Sequence, residues 1–277
     1  MFNIDSFQQI QDKIKKISPL IHCITNPISI NDCANFILAM GGKPIMAEHP
    51  LEVEEITATA NSLALNIANI TDARLNSIML SAKTADKLSI PFIIDIVGVN
   101  CSALRLEYAK KLLNTAPPTI IKGNMAEIKA ISNIKTNSRG IDTAKADAVS
   151  IYNLDKSIDI VKKLAKEYKC IVMASGKIDI ISDGQITYTV TNGNENLGLI
   201  TGTGCILNAV TATYLSVTQP LDACILATAV LGISGEKADS SKGVGTFKTE
   251  LIDKFSLIKQ EDLSCMARIK LYAQNNL

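Results

Sequence analysis

Short β-branched apolar runs alternate with stretches of helical period along nearly the whole chain, and this alternation constrains the fold more than any other feature. Strand-like runs are read at Leu20–Ile24, Lys43–Met46, Ser62–Ile67, Pro91–Asp95, Thr119–Lys122 and Cys170–Ala174. A hairpin is read over Asp179–Val190, turning at Asp183-Gly184. Helical periods cover Ser6–Ile17, Ile30–Met40, Thr71–Leu88, Ser102–Leu113, Asp155–Tyr168, Cys205–Val217 and Leu221–Ala238. Ser29, with Asp32 three residues on, predicts a capping pair ahead of Ile30, and Gly41-Gly42 ends that helix. Strands separated by helices of this length need crossover connections. The expected fold is therefore α/β, a central, mostly parallel sheet with helices on both faces. No composition break or linker interrupts the pattern, so residues 1–277 read as one domain. Ligands of such sheets gather beyond the carboxyl ends of the strands. The loops after Asp95, after Lys122 and before Cys205 are accordingly where chemistry is expected.

Composition removes several functions. With 28 Lys+Arg against 27 Asp+Glu the formal charge is +1, which supplies no field for non-specific binding to nucleic acid or an anionic membrane. A hydrophobic fraction of 47% excludes a disordered chain. The seven cysteines are scattered singly, so neither a disulfide framework nor a zinc site is indicated, and a reducing cytoplasm is the expected home. Asp5 stands where a signal peptide wants a basic, then apolar start. The apolar stretch Ala223 to Ile233 falls short of the roughly 20 residues that span a bilayer.

Four segments carry chemistry. Thr201-Gly202-Thr203-Gly204-Cys205 runs straight into a helix. Two glycines there let backbone N–H groups approach an anion, and the helix N-terminus adds partial positive charge, a cradle suited to a phosphoryl group in transfer. Cys205 lies in the first turn, where a thiol pKa is expected to fall. An ordinary strand-to-helix turn would use the same letters. Asp95, ahead of Gly98, suits a magnesium or phosphate site, or simply turn chemistry. Lys122-Gly123-Asn124-Met125-Ala126-Glu127 offers a cation for phosphates and a metal-holding pair on one helix face, or else Asn124 as N-cap with Glu127 as its partner. In the segment Pro19 to Asp32, Asn26 can present both donor and acceptor to a small heterocycle. His22 and Cys23, adjacent in a strand, face opposite ways, and His22 is expected in the core. Neither G-x-x-x-x-G-K-[ST] nor G-x-G-x-x-G occurs, so ATP would need another architecture.

Taken in order, the segments Pro19 to Asp32, Pro44-Ile45-Met46-Ala47, Asn66-Ile67, Asp95 to Val99, Gly123 to Glu127, Ser182-Asp183-Gly184 and Thr201 to Cys205 resemble hydroxyethylthiazole kinase, within the ribokinase-like superfamily. The resemblance runs from Pro19 to about Phe255. It implies transfer of the ATP γ-phosphate to the hydroxyl of 4-methyl-5-(2-hydroxyethyl)thiazole in thiamin salvage, with Mg2+, and a homotrimer whose active sites lie between subunits. Carried over by residue, Asn26, Ile28, Met46 and Gly202 would meet the thiazole alcohol. Gly202, Thr203 and Gly204 would form the anion cradle, with Cys205 as proton acceptor where superfamily relatives have Asp. Lys122 and Ser175 would meet ATP, while Asp95 and Glu127 would serve the metal through water or phosphate.

Departures from the family pattern cluster on the nucleotide side. Ile96 stands for Pro, Asn100-Cys101-Ser102 for Gly-Ala-Thr and Lys122 for Arg. Ala174-Ser175-Gly176-Lys177 replaces a Thr-Gly-Glu pattern, and Asn194 replaces His. Two other functions fit the same residues: a kinase for another small alcohol such as hydroxymethylpyrimidine, or a thiazole binder with weakened ATP use.

Overall fold

The computed structural model describes residues 2–136 and 148–272. Its strands are β1 (Leu20–Ile24), β2 (Lys43–Ile45), β3 (Ser62–Asn66), β4 (Phe92–Asp95), β5 (Ile120–Asn124), β6 (Ile171–Ser175), β7 (Asp179–Ser182), β8 (Thr187–Val190) and β9 (Ile269–Leu271). They form one sheet in the order β2-β1-β3-β4-β5-β6-β7-β8-β9. Pairing is parallel from β2 through β6 and antiparallel from β6 to β9. The parallel part is the one whose strands are separated by helices, as crossover geometry requires. The hairpin β7–β8 turns at Asp183-Gly184 as expected, with Gly184 at φ +91°.

The helices are α1 (Phe7–Ile17), α2 (Ile30–Ala39), α3 (Val53–Thr59), α4 (Asp72–Leu88), α5 (Ala103–Thr115), α6 (Met125–Ile131), α7 (Leu154–Tyr168), α8 (Thr203–Leu215), α9 (Pro220–Lys237), α10 (Val244–Ser256) and α11 (Gln260–Met266). Side chains of a strand alternate between faces, and the core divides accordingly. Ala64, Ile93, Ile120 and Ile171 pack with α1, α2, α8, α9, α10 and α11 on one face. Leu63, Leu65, Ile94, Ile121 and Val172 pack with α4, α5, α6 and α7 on the other. Both faces are covered, so the strands read as continuous apolar runs rather than alternating ones. Helices α8 and α9 are buried nearly all round: ten of the thirteen residues of α8 are buried. Helix α8 is therefore an inner helix, and its N-terminus opens at the sheet edge rather than at the outer surface.

Elements α3, α10, α11 and β9 lie outside the regions read from the sequence. The first three are short or interrupted by polar residues and gain their helical form from packing. The capping pair expected at Ser29 and Asp32 does not form. Ser29 Oγ lies 3.2 Å from Thr25 Oγ1, and Asp32 pairs with Lys248 at 2.8 Å. Tertiary partners outcompete the local cap.

Candidate active site

Asn66, Asp95 and Lys122 are register partners at the carboxyl ends of β3, β4 and β5. Each lies two residues beyond Ala64, Ile93 and Ile120, so the period of two turns all three toward the N-terminus of α8. Lys122 Nζ donates to Asp95 Oδ2 over 2.7 Å, with both side chains almost wholly buried. Asn66 Nδ2 donates to the same oxygen at 3.2 Å. Burial presses the Lys122 ammonium toward neutrality, but Asp95 outweighs it and holds the pKa above the ordinary lysine value. Asp95 Oδ1 is buried with no hydrogen-bond partner.

Above this row sits Gly202-Thr203-Gly204-Cys205. Gly202, the N-cap of α8, has φ +91°, and a Cβ there would lie 3.1 Å from Ser29 Cβ. Glycine is required at that point by backbone angle and by the close approach of the Ser29 segment. A Cβ at Gly204 would be 3.5 Å from Lys122 Nζ, which locates the ammonium directly under the helix start. Cys205 Sγ accepts from Asn26 Nδ2 at 3.0 Å and from Asn66 Nδ2 at 3.4 Å. The expected fall in the Cys205 pKa is not found. Burial and the Asp95 charge raise it, and Lys122 only partly offsets them. A helix N-terminus lowers a thiol pKa where water and cations dominate; here the carboxylate and desolvation win.

Asn26 spans two segments, since its Oδ1 also accepts from the Ile28 N–H at 3.1 Å. Ile28 itself is 61% exposed, and Met46 is half-buried against the α2/α8 side of the core. His22 is a satisfied core residue as expected, its ring nitrogens 2.9 Å from Thr57 Oγ1 and from the Ala47 carbonyl oxygen.

On the far side of Asp95 the loop Asn124–Glu127 forms a capping box. Asn124 Oδ1 accepts from the Glu127 N–H at 3.0 Å, and Glu127 accepts from Asn124 N–H at 2.6 Å and from Gly98 N–H at 2.8 Å. Burial, with Asp95 nearby, pushes the Glu127 carboxyl up to about 8. The same letters thus serve the cap and still place a carboxyl beside Asp95.

Ser175 and Lys177 lie apart from this cluster. They line a cavity of about 800 Å³ that begins at Thr203 and Gly204 and reaches Ile178, Asn194 and Val149–Ile151. Its lining does not include Asn26, Ile28 or Met46. Asp179 in its wall accepts from Gly176 N–H at 2.8 Å, and burial raises its carboxyl to about 7. Two contributors escaped the sequence reading. Asn66 reads in the sequence only as part of the strand run Ser62–Ile67 and of the Asn66-Ile67 resemblance segment, with no site role, and Asp179 as the start of a hairpin; register and the neighbouring strand reveal their positions.

A mostly parallel sheet covered on both faces, with a glycine-led helix start over its carboxyl edge, is the α/β architecture of the ribokinase-like kinases, whose ligands gather at that edge. The comparisons name the family. The family model described as "Hydroxyethylthiazole kinase family" matches residues 11–261, and the chain belongs to that family of kinases. "Hydroxyethylthiazole kinase 2" of Clostridium botulinum (strain Hall) is 50% identical over 264 residues, spanning 95% of this chain and 100% of the relative. "Hydroxyethylthiazole kinase 1" of Methanosphaera stadtmanae is 38% identical over 279 residues, covering 97% and 98% of the two chains. Among solved structures, a hydroxyethylthiazole kinase protein from Pyrococcus horikoshii OT3 superposes with a TM-score of 0.86 at 28% identity, over 96% of this chain and 98% of that one. Pyridoxal kinase from Staphylococcus aureus in complex with ADP shares the fold at a TM-score of 0.59 and 16% identity, over 79% and 88%. No helix among the described residues is long and apolar enough to cross a membrane.

Proposed function

We propose that this chain performs its family's reaction, ATP-dependent phosphorylation of the hydroxyl of 4-methyl-5-(2-hydroxyethyl)thiazole. The observation that carries the assignment of roles is the stacking of Lys122 under Gly204, with Cys205 and Asn26 on one side and the cavity on the other. ATP enters along the cavity past Ser175, so that its γ-phosphoryl group meets the Gly202–Gly204 amides and Lys122. The thiazole alcohol approaches from Asn26, Ile28 and Met46, with its hydroxyl against Cys205 Sγ. As the phosphoryl group moves to the substrate oxygen, ADP departs and the hydroxyl proton passes late to the Cys205 thiolate, which leaves the neutral thiol. Because such transfers are loose, positioning and charge stabilisation dominate over the base.

Mg2+ fits the residues present. Asp95 Oδ1 is buried and unpartnered, and Glu127 lies beside it. Magnesium is ordinarily bound by one or two carboxylates together with substrate phosphates, and these two carboxyl groups could serve it in that way. When bound it would neutralise charge on those phosphates. The wide exposure of Ile28, in a segment whose Asn26 faces Cys205, supports completion of the thiazole pocket by a second subunit, as in a homotrimer.

The test is ATP consumption with the thiazole alcohol, with hydroxymethylpyrimidine as the competing acceptor. Turnover of the thiazole alcohol with kcat/KM at least tenfold above the competitor is expected. Thiazole binding without turnover would replace this function with that of a binding protein.

A further inference from the structure

We propose that Arg74 is a positioning residue for the thiazole alcohol: from the first turn of α4 its guanidinium ties the Thr25–Asn26 segment to the Met46–Glu48 segment. This rests on reading Asn26 and Met46 as thiazole contacts. Both lie just past the carboxyl ends of β1 and β2, which pair in parallel with His22 opposite Ile45. Arg74 comes from neither strand. It is the third residue of α4, the helix that follows β3, and its Nη2 donates to the Thr25 carbonyl oxygen. Its Nη1 lies 3.5 Å from Glu48 Oε2. Ser77, on the same helix, sets its hydroxyl 2.8 Å from the Glu48 carbonyl oxygen. One helix start therefore holds both segments.

Stability does not explain this arginine. Arg74 is only 5% exposed, and its Nε and Nη1 are buried without a hydrogen bond. A buried guanidinium with donors left unpaired destabilises a fold rather than securing it. Its place on the helix is unfavourable as well, because a cation in the first turn meets the positive end of the helix dipole. Burial accordingly lowers its pKa, and the Glu48 charge only partly opposes that. Residues that break such local rules are expected where a site requires them. What Arg74 secures is the peptide just ahead of Asn26. The Asn26 side chain donates to Cys205 Sγ at 3.0 Å and accepts from the Ile28 N–H at 3.1 Å. A shift of the Thr25 carbonyl would carry Asn26 away from both, and a shift of Glu48 would carry Met46.

The thiazole alcohol is titrated calorimetrically into the full chain, and turnover with ATP is measured on the same proteins. Arg74→Met, which keeps a long side chain but no donors, should weaken thiazole-alcohol binding roughly tenfold or more and lower kcat, with the KM for ATP within about twofold. Arg74→Lys keeps the charge but not the fork, so it should recover thermal stability and leave most of the binding loss. In an Asn26→Ala background, Arg74→Met should weaken binding by less than about threefold further, because one residue acts through the other. Glu48→Gln, at a half-exposed side chain, should leave the fold intact and weaken binding about threefold.

Unchanged thiazole affinity in folded Arg74→Met would overturn the inference, and so would full affinity in Arg74→Lys. Equal losses of thiazole and ATP affinity, or losses that add to those of Asn26→Ala, would mark a merely structural arginine and overturn it too. If Arg74→Met fails to fold, unchanged affinity in Glu48→Gln is the overturning result. A wild type that does not bind the thiazole alcohol would overturn the thiazole reading itself, whereas a failure confined to the variants leaves that reading standing.

Discussion

The two halves of the site are built in opposite ways. Around Asp95 the polar groups are tied together: Lys122, Asn66, Cys205 and Asn26 form a continuous run of buried and half-buried contacts, and a side chain at Gly202 would press on Ser29. The cavity beside it is large, aliphatic and lined by residues from the β6–β7 turn, the Asn192–Gly198 segment, α9 and the loop before α7. A site that must stabilise developing charge benefits from groups fixed before the reaction begins. The cavity, proposed to hold the leaving nucleotide, needs shape, and shape tolerates substitution. The chain's departures from the family pattern at Ser175, Lys177 and Asn194 all line the cavity. Lys122, on the closed side, keeps its charge, and it is anchored by Asp95 rather than pointing freely at solvent.

That contrast is open to attack at graded strength. Asp95→Asn should be the most damaging change, because it leaves the Lys122 ammonium buried without a counter-charge. We expect kcat to fall roughly 10³-fold, with a stability loss of up to about 3–5 kcal/mol, both read from turnover and thermal unfolding. If turnover survived, Asp95 would be a structural partner of Lys122 and nothing more. Gly202→Ala forces a side chain into the left-handed region and against Ser29. Its cost should be about 1–2 kcal/mol of stability and roughly 10- to 100-fold in kcat, with the KM for ATP nearly unchanged.

Cys205→Ala should lower kcat by roughly 10- to 100-fold without abolishing it, since the cradle remains. Burial and Asp95 hold the Cys205 pKa above the ordinary thiol value, so the wild-type rate should climb as pH rises and the thiolate fraction grows. Cys205→Asp should stay active and flatten that climb, because a carboxyl gives up its proton at lower pH. A folded, thiazole-binding but inactive Asp variant would remove Cys205 from the proton-acceptor position. Smallest of all, Lys177→Glu should change the KM for ATP by no more than about threefold, as befits an exposed charge at the cavity mouth. A larger effect, or any change in the KM for the thiazole alcohol, would show that the two halves are not separable.

Legibility in the sequence follows the same division. Strands β1 to β6 and helices α1, α2, α4, α5, α7, α8 and α9 were readable because their apolar runs and helical periods are local. The cradle was readable because two glycines before a helix serve a requirement that spans five residues. Asn66 was not readable as a site residue: its role depends on register with Asp95, 29 positions away, and on the face it shares with Ala64. The direction of the Cys205 pKa was misread for a related reason. Local helix position argues for a fall, whereas the charge that decides it arrives from a different strand.

By itself, then, the sequence determined the layered α/β architecture, and it pointed to the sheet edge at which the chemistry is proposed and to the pieces Asn26, Asp95, Lys122, Glu127 and Gly202–Cys205. These depend on periodicity, turn chemistry and short spacings, all carried by neighbouring residues. Tertiary structure alone decided that Lys122 lies under Gly204, that two amides converge on Cys205 and that Ser29 forgoes its cap. Each of those facts joins segments distant along the chain, and what selects them is the burial of charge and apolar surface over the whole fold, which no local window contains.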